Sequence, residues 1–267
     1  MGETATGRGR GAALGLVLGL WACVPADPPE GPRRARAGTS PPSIASRARA
    51  GGASDRPEAG PAEFAVERDP LLERPFTDDF ERSSLGSEYS ATSAVWRLEE
   101  GRLCARAARN RPVWLRRRLP RNVRVEFEAE SASPDGDIKV ELFGDGRSRA
   151  RSNSYIDATS YLAIFGGWKN GFHVLARLDE HSSGRLELGV DPSSPEPRAQ
   201  PVVPNRRYRF RLERLDGATL RWFVDGVALF GFADPEPLHG EGHEYFAFND
   251  WETPVCFDNL RIEPLGG

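Results

Sequence analysis

The sequence predicts an all-β fold, an antiparallel β-sandwich of the jelly-roll kind, and three observations carry that prediction. Tyr208, Phe210 and Leu212 alternate with Arg207, Arg209, Arg211 and Glu213, which gives a strand one dry and one wet face. Short apolar-rich runs follow one another closely, with no amphipathic helix of convincing length between them. Asp225-Gly226 separates two such runs, and that pair suits a type I′ hairpin because both central residues need positive φ.

The N-terminal quarter reads differently. Arg8 and Arg10 form a basic flank ahead of the apolar run from Gly11 to Ala22, which is too short to span a bilayer and has the form of a targeting segment over residues 1–23. Its end, Leu20-Trp21-Ala22-Cys23, resembles the bacterial lipobox, in which a small residue precedes a cysteine that is lipidated. Trp21 departs from that pattern, so cleavage by the ordinary signal peptidase is the alternative. Lipidation of Cys23 would anchor the chain to a membrane without spanning it. It would place the protein in the bacterial cell envelope, at the outer membrane or cell surface, since Val24 is not the aspartate associated with inner-membrane retention. Residues 24–73 are rich in Pro, Gly, Ala, Ser and Arg and read as a disordered linker, unable to bury enough apolar surface to offset its conformational entropy.

The sandwich is expected over 74–267. Candidate strands are Val95–Leu98, Arg102–Ala107, Val113–Leu119, Val123–Ser131, Asp137–Phe143, Tyr161–Phe165 and Phe172–Leu178, followed by Arg185–Val190, Tyr208–Leu215, Leu220–Val224, Val227–Phe230, Tyr245–Asn249 and Val255–Ile262. Trp168-Lys169-Asn170-Gly171 reads as the turn between two of them. In the last strand the apolar phase is odd-numbered through Phe257 and even-numbered from Leu260, a slip that predicts a β-bulge at Asp258-Asn259. Cys104 and Cys256 lie in an early and a late strand and are either a disulfide or two separately buried thiols.

Composition excludes several function classes. The formal net charge of -3, with no basic aromatic stripe, argues against nucleic acid as a partner. No nucleophile elbow, phosphate-binding glycine loop or paired CxxC is present.

The segments Phe76-Thr-Asp-Asp-Phe80, Trp96 with Gly101-Arg-Leu, Leu220-Arg-Trp-Phe-Val-Asp-Gly, Asp234-Pro-Glu-Pro-Leu238 and Phe257-Asp-Asn-Leu-Arg-Ile262 together resemble the concanavalin A-like lectin/glucanase superfamily. The nearest-looking members are laminarinase-like and 3-keto-disaccharide-hydrolase-like domains. The resemblance implies two curved sheets, a concave face that often holds sugar, and a frequent structural calcium. By that resemblance Asp258 is the calcium candidate, sharing the ion with carbonyls near Asp79, and a carboxylate that merely caps the bulge is the alternative.

Candidate sites follow from residue chemistry. Trp168, Trp114 and Trp251 offer aromatic faces that suit sugar C–H groups, with core packing as the competing role. His173 and Arg177 lie near Trp168 in sequence and form, with it and Trp251, the expected ligand-binding patch. Asp137 and Glu141 share one strand face and are candidates for an acid and base flanking a glycosidic bond. Glu126, Glu128 and Glu130 also share a face, but Arg124 joins them, as on a solvated outer surface. His239 and His243 sit in a glycine-rich loop and do not have the helical placement that zinc spacing needs.

Three functions are therefore expected of this chain: a carbohydrate-binding module without catalysis, an exported glycoside hydrolase or 3-keto-glycoside hydrolase/lyase, or a structural envelope lipoprotein. The first leads.

Overall fold

The computed structural model describes residues 68–266; the expected targeting segment, Cys23 and most of the expected linker lie outside the described residues. Fifteen strands form two antiparallel sheets. They are β1 (Phe76–Asp78), β2 (Tyr89–Ala91), β3 (Arg97–Glu99), β4 (Arg102–Ala105), β5 (Val113–Leu115), β6 (Val123–Ser131), β7 (Ile138–Gly144) and β8 (Tyr161–Gly166). Next come β9 (Phe172–Arg177), β10 (Leu186–Gly189), β11 (Tyr208–Arg214), β12 (Thr219–Val224), β13 (Val227–Ala233), β14 (Tyr245–Asn249) and β15 (Val255–Pro264). The eight-stranded sheet runs β13-β12-β11-β6-β15-β4-β3, with β1 paired to β15, and the seven-stranded sheet runs β10-β9-β8-β7-β14-β5-β2. The fold is an antiparallel β-sandwich, as the alternation predicts. The fold begins a few residues before the boundary at 74, because Leu72 is 4% exposed within the core and Leu71 bridges to Arg118.

Alternation explains the eight-stranded sheet directly. Along β6 every second residue is buried, and Phe127 sits at the centre of an aromatic cluster that joins the sheets. It stacks on Phe210 of β11 at 4.8 Å and meets Phe248 of β14 edge-on at 5.5 Å. The other face of β6 is a charge ladder. The register sets Glu128 opposite Arg209, Glu126 opposite Arg211 and Arg124 opposite Glu213, so complementary charges meet across the strands. Glu128 pairs with Arg207 and Arg209, and Glu130 with Arg102, on this solvent-facing side of the sheet.

Two turns follow backbone chemistry. Asp225 and Gly226 have φ of 50° and 79°, as the hairpin requires. On β15 the register to β6 shifts between Asp258 and Arg261, with Asn259 at φ 51°. This bulge lets β15 change neighbours: its first part pairs with β4 and its later part with β1.

The register also sets Cys256 opposite Cys104, with Cα atoms 4.1 Å apart and the sulfurs bonded. The bridge closes a sequence separation of 152 residues, and chain entropy alone assigns such a loop on the order of 4–5 kcal/mol. The double variant Cys104→Ser/Cys256→Ser is expected to lose about 2–5 kcal/mol of unfolding free energy in a urea titration, and the oxidised wild-type domain should show no free thiol from this pair before or after denaturation.

Candidate functional site

The outer face of the seven-stranded sheet departs from simple alternation. All of β7 and β8 is buried, because the segment between them, residues 145–160, folds back over the sheet. Ala150, Tyr155 and Ala158 pack there on Leu162, Ile164, Val174 and Ala176. Trp114 lies beneath the same cover, fully buried, with its indole N–H donating to the Ser148 carbonyl at 3.0 Å. It is a packing residue.

The cover leaves a cleft of about 450 Å³ beside it. Asp137, Lys139 and Ile164 line its base, and Trp168 and Trp251 stand at its rim, with Asn110, Glu180 and His181 contributing further surface. Asp137, Trp168 and Trp251, which sequence reasoning singled out, are thus brought together. Asn110 and Glu180 were not foreseen, since both lie in loops where no periodicity marks a facing side chain.

Lys139 organises the base. Its ammonium donates to Asn110 Oδ1 at 2.6 Å and Glu180 Oε2 at 2.9 Å, and its side chain is 3% exposed. Burial works against the charge, but Asp137 and Glu180 outweigh it and raise the lysine pKa. Glu180 is likewise opposed by burial, yet Lys139 holds its carboxyl below the usual range. Its Oε1 also accepts the Tyr155 backbone N–H at 3.0 Å and the Asn110 amide at 3.2 Å, so one carboxylate pins the cover segment to the cleft.

Asp137 takes part differently. Its Oδ2 accepts the Trp251 backbone N–H at 3.1 Å, which positions that tryptophan, and burial pushes its pKa up despite Lys139. Asp250, completely buried, has its pKa raised well above the ordinary aspartate value by burial and by Asp137; its Oδ2 accepts the Ala108 N–H at 3.0 Å. These acids support the cleft from beneath.

Trp168 reaches the rim through an unusual backbone. Trp168, Lys169 and Asn170 are all left-handed, with φ of 51°, 58° and 61°. Such residues cost roughly 1–2 kcal/mol each, so the surroundings must hold them. Asn170 does so: its amide donates to the carbonyls of Pro134 and Val202, and its Oδ1 accepts the Val202 N–H at 2.9 Å. Gly166, at φ 73°, leaves no room for a Cβ, which would fall 2.4 Å from Val202. The indole is 38% exposed and carries the Arg185 guanidinium at 4.5 Å from its centroid.

Several expected site residues lie elsewhere. His173 and Arg177 alternate onto the opposite face of β9, towards the sandwich interior. His173 is fully buried and stacks on Phe165 at 4.3 Å; its Nδ1 accepts the Gly166 N–H and its Nε2 donates to the Gln200 carbonyl. Burial pushes its pKa down to about 4. Arg177 pairs with Asp234 at 2.9 Å and donates to the Glu236 carbonyl, which fastens that loop. Neither joins a patch with Trp168.

Glu141 shares the outer face with Lys139 but is wholly enclosed. It accepts hydrogen bonds from Tyr155, Ser160 and Asn249 and does not line the cleft. Asp137 and Glu141 therefore do not face one another across a groove as an acid and base. Asp258 lies on the outer face of the other sheet, where it accepts the Asn259 N–H at 2.8 Å and meets Arg207 at 3.5 Å. It caps the bulge, and among the described residues no group of three or more His, Cys, Asp or Glu side chains is placed to hold a metal ion. His243 Nδ1 donates to the Thr159 carbonyl at 2.6 Å and fixes its loop.

No protein-family model matches the chain, and no curated protein sequence matches it. Solved structures do. A Crh5 transglycosylase in complex with NAG is similar with a TM-score of 0.50 at 10% identity over 74% of this chain and 87% of that one. The carbohydrate-binding module CBM66 from Bacillus subtilis gives 0.49 at 12% identity over 66% and 95%, and the Emp46p carbohydrate recognition domain 0.49 at 13% over 71% and 95%. At these identities the likeness is one of fold. The fold and the site together define a two-sheet antiparallel β-sandwich with a tryptophan-rimmed cleft on the outer face of one sheet.

Burial pushes the Glu141 carboxyl up to about 7, from an ordinary 4.5. Between those values the folded chain keeps a proton that the unfolded chain has released. This carboxyl thus favours folding most below pH 4.5, and that contribution is lost as pH rises through about 7. Glu141→Gln retains the shape and can donate to the Ser160 hydroxyl, so its stability relative to wild type should climb by up to about 3 kcal/mol between pH 4.5 and pH 8 in paired urea titrations.

Proposed function

We propose that this protein is a carbohydrate-binding module without catalytic activity, working outside the cytoplasm. One observation carries the reading: a base of buried, hydrogen-bonded polar groups lies between two tryptophans held at the rim by the backbone itself. A sugar ring offers apolar C–H faces to indoles and hydroxyls to such polar groups, and the cleft volume falls within the range of small-ligand sites. Asp137 Oδ2 is engaged by the Trp251 N–H, and its Oδ1 is the acceptor left for a ligand hydroxyl. The enclosure of Glu141 argues against hydrolysis by an Asp137/Glu141 pair. Placement outside the cytoplasm, with Cys23 as a lipid anchor and the residues between it and the sandwich as the tether, is supported by the leader pattern and by the Cys104–Cys256 bridge, which persists in oxidising compartments.

A glycan array followed by calorimetric titration tests the proposal. Binding without turnover of aryl glycosides is expected, with Trp168→Ala and Trp251→Ala each weakening the best ligand by about tenfold. Turnover that Asp137→Asn abolishes would contradict it, as would binding indifferent to both tryptophans.

A further inference from the structure

A second pocket, of about 280 Å³, is lined by residues of the 118–121 segment, the 239–244 loop, Phe143 and Arg214. Arg214 ends β11 and is 0% exposed. Its guanidinium lies 3.5 Å from the Phe143 ring centroid, its Nε donates to the Arg121 carbonyl at 2.6 Å and its Nη1 to the Leu238 carbonyl at 2.7 Å. Nη2 has no acceptor within hydrogen-bond distance, although the nearby Tyr161 hydroxyl helps to hold the charge. Burial lowers the pKa to about 10, so the group stays charged at neutral pH. A buried charge without an opposite partner is costly unless something compensates it. Neither Arg214 nor Arg121 forms a salt bridge among the described residues; Arg121 Nε donates to the Gly217 carbonyl.

Arg118, His239 and His243 also line the pocket, and its one carboxylate, Glu244, is already held by both Arg68 and Arg118. We infer that this pocket binds an oxyanion of the phosphate type, free or carried on a larger molecule, with Arg214 and Arg121 as its principal donors. Guanidinium groups match such anions in planar geometry and bind them by charge-assisted hydrogen bonds. Nη2 is covered in the present arrangement, so direct contact with the anion requires the lining to move.

Calorimetric titration of the protein with sodium phosphate and sodium sulfate, at ionic strength matched with chloride, tests the site. Saturable phosphate binding is expected, weakened roughly tenfold or more in Arg121→Ala, an exposed position that leaves the core intact, and abolished in Arg214→Met where that variant folds. Glucose 6-phosphate binding more tightly than phosphate would sustain the site and assign the anion to a larger molecule; equal affinity would sustain it and assign a free ion. No binding of phosphate or sulfate beyond the chloride control, or binding unchanged in Arg121→Ala, would overturn the inference.

Discussion

A lysine ammonium enclosed on the outer face of a β-sheet must find anions and acceptors or give up its proton. Lys139 finds Glu180, which follows β9, and Asn110, which precedes β5. These partners come from separate loops, so one buried charge draws two connections against the seven-stranded sheet. Glu180 then accepts the Tyr155 N–H and carries the cover segment with it. The cleft is what remains uncovered. Its shape thus follows from satisfying one cation, and breaking a buried pair of this sort costs on the order of 3–5 kcal/mol because the remaining carboxylates lose their counter-charge.

How far the chain could be read from sequence depends on which sheet is considered. In β6 and β11 water covers one face, so parity separates Phe127, Phe210 and Leu212 from the arginine and glutamate ladder, and β6 begins and ends where alternation places it. In β7, β8 and β9 both faces are buried, and parity loses its meaning. Lys139 and Glu141 have the spacing of a surface charge ladder yet lie inside. His173 and Arg177 fall on the interior face, because Val174 and Ala176 supply the apolar positions beneath the cover. The bulge at Asp258-Asn259 was legible because a phase slip is a local property. Asn110, Glu180 and Asp250 were not, since their roles depend on contacts between distant loops.

The two pockets treat a buried cation in opposite ways. Near the start of β7, buried carboxylates gather around an ammonium and support a cleft. Near its end, Phe143 underlies a guanidinium that has carbonyl partners and no carboxylate. The first arrangement is internally compensated and fits a neutral polyol; the second leaves a charge to be met from outside.

Hydrogen exchange on Lys139→Met tests whether the Lys139–Glu180 pair holds the cover segment on the sheet. With the ammonium gone, the amide of Tyr155 and those of the 108–111 segment should lose protection, while β6 and β11 retain theirs and the sandwich stays folded. Unchanged protection at Tyr155 would show that the cover segment is held by something other than the Lys139–Glu180 pair, and the account of the cleft would fail.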